Sequence, residues 1–151
     1  NIAFFKVQID FKHNFLDTIK TIYLVDDSED DLFIFQLVLK ELKADFHVDV
    51  FLNGEEVINH IKSHSYVLPD LIITDLNMPK VDGLELIGFL KNNHQFKSIP
   101  VILMSSTFCP HAEKKALQLG AESMLTKGDS FKEMVEIVNN IIRNFNLEKV
   151  A

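Results

Sequence analysis

The stretch Leu71-Ile72-Ile73-Thr74-Asp75-Leu76-Asn77-Met78-Pro79-Lys80-Val81-Asp82-Gly83 decides the fold. Its opening residues are apolar without alternation. A strand covered on both faces reads this way, the mark of a parallel sheet sheathed by helices. The run ends on Asp75, after which Met78-Pro79 and Asp82-Gly83 supply a long turn. Two further runs have the same character, Ile22-Tyr23-Leu24-Val25 and Val101-Ile102-Leu103-Met104. His47-Val48-Asp49-Val50-Phe51 alternates instead, as a half-covered edge strand does. Glu122 to Thr126 is a weaker strand candidate.

Helical patterns separate these runs. Phe131, Met134, Val135, Val138, Ile141, Ile142 and Phe145 recur at helical spacing and form one apolar stripe, with Asp129 or Ser130 as the candidate cap. Asp30 to Leu42, Glu55 to His64, Gly83 to Asn92 and Pro110 to Leu119 complete the set, the last closing at Gly120. Five strands alternating with five helices predict an α/β fold, a doubly wound parallel sheet. The expected strand order is 2-1-3-4-5, one of the two common orders for such sheets.

Residues 1 to 20 stand apart from this pattern. Phe5, Val7, Ile9 and Phe11 alternate with polar residues, which makes the segment a candidate extra strand; a loosely packed extension is the other reading.

The 151-residue length suits one domain with a real core, and the composition is 47% hydrophobic and 25% charged. The net charge of -7 comes without any basic run, so no nucleic-acid partner is expected. Cys109 is the one cysteine, which excludes an internal disulfide and a multi-cysteine zinc site. No apolar run approaches the roughly 20 residues of a membrane span, and no signal-peptide core is present. A cytoplasmic protein without membrane contact is the expectation.

In a parallel sheet the C-terminal strand ends share one edge, where open α/β proteins place their ligand sites. Asp26 and Asp27 follow the first strand, Asp75 ends the third, Ser105 ends the fourth and Lys127 follows the fifth. Two carboxylates about 4 Å apart repel by roughly 4 kcal/mol at an effective dielectric of about 20. Three of them opposed only by Lys127 therefore call for a cation. The donors are all oxygens, which favours Mg²⁺, with Mn²⁺ as a substitute. A carboxylate beside Mg²⁺ and a lysine can attack phosphorus, because both cations stabilise charge on the transferring oxygens.

Four segments together resemble the signature of response-regulator receivers: Val25-Asp26-Asp27, Thr74 through Gly83, Pro100 through Ser106, and Leu125-Thr126-Lys127. The resemblance covers about residues 21 to 145. It implies a flavodoxin-like receiver domain there, with an N-terminal extension at 1 to 20 and a C-terminal tail at 146 to 151. It also implies a phosphoaspartate at Asp75, with Asp27, Asp75 and the Asn77 main-chain carbonyl on Mg²⁺. Asp26 would act mostly through a metal-bound water. Ser105 would be the switch hydroxyl and Lys127 the phosphate-binding lysine.

The same resemblance implies a single-domain switch in a two-component phosphorelay, not a turnover enzyme. Its phosphoryl donor would be a histidine kinase or histidine phosphotransfer protein. Its output would be contact with a downstream protein through the fourth helix, fifth strand and fifth helix, with homodimer formation left open. No attached output domain is expected. Phe33, Phe35 and Val38 on the first helix form a candidate kinase-docking face, or ordinary packing.

Two positions depart from the family. Gly128 stands where proline usually follows the lysine, and Met124 where a Tyr or Phe switch is common. A trans bond is expected before Gly128, since a cis bond without proline costs roughly 2.5 to 4 kcal/mol.

Other readings are weaker. Glu29, Asp30 and Asp31 read as a solvated acidic helix start, favoured by the helix dipole. An EF-hand fails because Asp31 replaces the required glycine. His60 and His64 lack the metalloprotease glutamate and read as a solvent-facing helix. A Mg²⁺-dependent aspartyl phosphohydrolase would need a second aspartate at Asn77. A receiver-like docking module that is never phosphorylated is the main alternative.

Overall fold

The computed structural model describes residues 19–63 and 68–147. The candidate strand carried by Phe5, Val7, Ile9 and Phe11 lies outside these bounds, as does His64. The elements alternate: β1 (Lys20–Val25), α1 (Glu29–Glu41), β2 (Phe46–Phe51), α2 (Gly54–Ser63), β3 (Leu71–Asp75), α3 (Gly83–Lys91), β4 (Val101–Ser105), α4 (Pro110–Leu119), β5 (Ser123–Thr126) and α5 (Phe131–Asn144). All pairings are parallel, in the order β2-β1-β3-β4-β5 expected from the sequence.

Every residue of β3 and β4 is buried, which accounts for their unbroken apolar runs. The edge strands β2 and β5 are largely half-exposed. One face of the sheet carries Tyr23, Val25, Ile72, Val101 and Leu103 against α2, α3 and α4. The other carries Ile22, Leu24, Leu71, Ile73 and Ile102 against the paired helices α1 and α5. Successive strand residues serve opposite cores, so no position in β3 or β4 can be polar without a special reason.

Local chemistry marks the helix ends. Ser28 caps α1 and Ser130 caps α5 through their side-chain oxygens. Asp82 and Glu85 form a reciprocal capping box at the start of α3. Gly120, at φ 103°, closes α4 in the left-handed region. β1 starts two residues before its apolar run because Thr21 exchanges hydrogen bonds with Asp70. Leu147 is buried in the α1/α5 core, past the end of the last helix.

Two expectations need correction. Phe35 and Val38 are core residues, whereas Phe33, Ile34 and Leu37 form the exposed apolar face of α1. The helix phase decides this: residues three apart from Leu32 turn inward with it. His60 does not face solvent; it is half-buried, its ring 5.5 Å from Tyr23 and 5.2 Å from Phe51. Among the described residues no helix is long and apolar enough to cross a membrane.

Candidate functional site

The C-terminal edge of the sheet gathers the predicted residues. Asp75 is the last residue of β3, and its position is fixed from both sides. The Leu76 N–H donates to the Met104 carbonyl at 2.8 Å, and the Gly83 N–H donates to the Leu76 carbonyl at 3.0 Å. The Asp75 Oδ2 accepts the Asn77 N–H at 2.9 Å, which holds the carboxylate plane. Asp26 lies on the neighbouring strand end, its own N–H donating to Phe51 O at 3.0 Å and its Oδ1 accepting the Ser28 N–H at 2.9 Å. Asp27 next to it is exposed, at the mouth of the cleft.

Lys127 arrives from the far side of the sheet. Its N–H donates to Ser105 O at 2.8 Å, carrying the β4–β5 ladder one residue past β5. Its ammonium then reaches Asp26 Oδ2 at 2.6 Å, Asp75 Oδ1 at 2.7 Å and Asp31 Oδ2 at 2.7 Å, with only 15% of the side chain exposed. Ser105 is buried at the end of β4, and its Oγ accepts the Thr107 N–H at 3.3 Å. Ser106 is exposed beside it. Asn77 lines the same cleft, a space of about 260 Å³ that also contains Asp26, Asp27, Ser105, Thr107 and Lys127. The structure thus brings Asp26, Asp27, Asp75, Asn77, Ser105 and Lys127 to one place.

Asp31 was not expected there. It is no solvated member of an acidic helix start: its carboxylate turns back onto Lys127, while Glu29 and Asp30 stay exposed. No local signal in the sequence points to it, because Asp30 beside it carries the same charge on the same helical turn.

The electrostatics follow from the excess of acid. Burial pushes the Asp26 carboxyl up; hydrogen bonds from Lys127 and the Ser28 N–H oppose this, the Asp75 charge adds to it, and the net direction is upward. Burial alone would lower the Lys127 ammonium, but its hydrogen bonds to Asp26, Asp31 and Asp75 outweigh that and hold it above the ordinary lysine range. Both shifts favour added positive charge. One oxygen each from Asp26, Asp27 and Asp75 lies within 4.8 Å of the others. An all-oxygen set with surplus negative charge fits a hard divalent cation such as Mg²⁺ or Mn²⁺.

Gly128 and Met124 have local roles. The Gly128 N–H donates to the Met134 Sδ at 3.2 Å, a bond proline cannot make. No cis peptide occurs among the described residues, as expected at this bond. Met124 is half-buried and packs against the α2/α3/α4 core.

The model of the response regulator receiver domain matches residues 22–139. The chain is 33% identical over 141 residues to chemotaxis protein CheV1 of Helicobacter pylori, covering 88% of this chain but 43% of that one. It is 30% identical over 136 residues to response regulator Rcp1 of a Synechocystis species, covering 87% of this chain and 92% of that one. Among solved structures, the phosphorylated cyanobacterial phytochrome response regulator RcpA superposes with a TM-score of 0.78 at 26% identity, covering 85% of this chain and 94% of that one. The Mn²⁺-bound form of Rcp1 gives 0.75 at 30% identity, covering 87% and 97%.

Proposed function

Because the chain belongs to the response-regulator receiver family of two-component systems, we propose that it is a phosphorylation switch whose acceptor is Asp75. The observation that carries this reading is the Asp75 carboxylate at a buried strand end, within 2.7 Å of Lys127 and grouped with Asp26 and Asp27. Asp26, Asp27, Asp75 and the Asn77 carbonyl would hold Mg²⁺. When bound, the cation supplies charge stabilisation to the transferring phosphoryl oxygens.

The chain's own residues do the rest. An Asp75 carboxylate oxygen forms the new P–O bond while the donor's P–N bond breaks, and the donor imidazole leaves with that electron pair. The Asn77 N–H orients the carboxylate. Lys127 transfers a hydrogen bond from the Asp75 oxygen to a phosphoryl oxygen, in a partly desolvated site where such bonds are strong. The Ser105 hydroxyl oxygen accepts the Thr107 N–H, which leaves its proton to donate to a second phosphoryl oxygen.

The added charge of about -1.5 to -2 then biases the surrounding surface. A histidine kinase or histidine phosphotransfer protein is the proposed donor, and a downstream protein the proposed target. The proposal extends to a cytoplasmic location and to the absence of substrate turnover beyond the phosphoryl group's own gain and loss.

The test is incubation with Mg²⁺ and acetyl phosphate, or with a phosphorylated histidine kinase, followed by intact mass or radiolabel. The chain has no tryptophan beside the site to report by fluorescence. Wild type should gain one phosphoryl group and Asp75→Asn none. Equal labelling of both would refute Asp75 as acceptor. No labelling of wild type by either donor would leave an unphosphorylated docking module, the reading that the Gly128 and Met124 departures favour.

A further inference from the structure

We infer that Asp31 is a positioning residue for Lys127, one that keeps the ammonium ion beside Asp75 while a divalent cation takes over Asp26 and Asp75. This rests on the reading of Asp26, Asp27 and Asp75 as cation ligands. The starting point is a count of donors. An ammonium group has three N–H bonds, and here they serve Asp26, Asp31 and Asp75. Asp26 and Asp75 also belong to the converging oxygen cluster; Asp31 does not. The lysine and an incoming cation therefore compete for oxygens of Asp26 and Asp75, and Asp31 is the partner that the lysine alone uses.

The position of Asp31 is built and not incidental. The Ser28 N–H donates to Asp26 Oδ1 at 2.9 Å, and the Asp31 N–H donates to Ser28 Oγ at 3.3 Å. Lys127 then joins Asp31 Oδ2 and Asp26 Oδ2 at 2.7 and 2.6 Å, closing a ring of hydrogen bonds. The cap of α1 thereby fixes Asp31 relative to the metal-facing carboxylate. Without the Asp31 charge, the ammonium leans wholly on Asp26 and Asp75 and opposes the cation there. With it, one N–H stays anchored while the other two are released to the phosphoryl group. Asp30 carries the same charge on the same helical turn but stays exposed, so it provides the control for a mere helix-dipole effect.

The test measures Mn²⁺ affinity of the unphosphorylated chain by electron paramagnetic resonance or calorimetry. It uses wild type, Asp31→Asn and Asp30→Asn, each with Lys127 and with Lys127→Gln. Asp31→Asn should weaken Mn²⁺ binding on the order of tenfold, as loss of an outer partner of a metal site does. Asp30→Asn should leave it unchanged. The Asp31→Asn effect should vanish when Lys127 is absent. Unchanged binding in Asp31→Asn overturns the inference, and so does an equal loss with and without Lys127, which would make Asp31 a bare charge. Wild type that binds no Mn²⁺ overturns the cation reading itself, and this inference with it.

Discussion

The main-chain carbonyl of Asp75 rests against the α-carbon of Gly83, so close that a β-carbon at 83 would overlap the carbonyl oxygen. The same β-carbon would strike Leu103 in the core. The strand that ends on Asp75 and the first turn of α3 are thus in contact through a residue with no side chain. Gly83→Ala should destabilise the protein by about 1–3 kcal/mol, read by denaturant unfolding, and should slow labelling of Asp75. Full stability with full labelling would show that the loop accommodates the methyl group by moving.

Gly128 is a second close approach. A β-carbon there would lie 2.7 Å from Glu133 Cβ and 2.9 Å from the Met134 nitrogen. Restoring the family's proline should therefore harm this chain. Gly128→Ala is expected to cost about 1–3 kcal/mol, and Gly128→Pro more, because it also removes the N–H that Met134 Sδ accepts. A thermal melt ranking wild type, alanine and proline in that order supports this; a stabilising proline contradicts it.

The raised Asp26 carboxyl sets a pH dependence. An acid whose folded pKa exceeds its unfolded value contributes stability at low pH that is lost as pH rises through the folded pKa. In EDTA at neutral pH, Asp26→Asn should be more stable than wild type. The difference should shrink on acidification, as wild-type Asp26 takes up its proton. Chemical denaturation at several pH values between neutrality and the ordinary carboxylate range measures it. A difference that grows on acidification would reverse the sign.

Removal of Lys127 exposes the charge imbalance. Lys127→Gln should lower the stability of the metal-free protein by up to about 3 kcal/mol, since it leaves buried carboxylates without their partner. Mg²⁺ should recover more stability in this variant than in wild type, because binding to the folded state alone stabilises it. Labelling of Asp75 should still fall by about a hundredfold or more, as expected on loss of a group that stabilises transferring charge. Normal labelling would place the phosphate-binding role elsewhere.

On α1 two neighbouring phenylalanines should behave oppositely. Phe35 is 3% exposed and Phe33 60%. Phe35→Ala should cost about 3–5 kcal/mol, while Phe33→Ala should change stability by less than about 0.5 kcal/mol. Phosphotransfer from a kinase that docks on this face should weaken in Phe33→Ala despite its intact fold.

The sequence by itself determined the sheet and the edge on which the chemistry sits. Strands buried on both faces must be apolar at consecutive positions, so β1, β3 and β4 were legible without a structure. Parallel strands end on one side, so Asp26, Asp27, Asp75, Ser105 and Lys127 had to converge once the order of elements was read. A cap at Asp129 or Ser130 and a stop at Gly120 followed equally locally, from backbone groups that need a partner, and the structure selects Ser130.

Only the tertiary structure decided which acids hold Lys127. Asp31 is 96 residues away from it in sequence, and nothing local separates it from Asp30. The rotation of α1 about its axis does, and packing against the sheet and α5 sets that rotation. The same rotation buries Phe35 and exposes Phe33. Gly128 likewise reads as a missing proline until the start of α5 is seen against it. Periodicity specifies a strand or helix from neighbours in sequence, whereas a helix's phase and a close backbone contact depend on partners far along the chain.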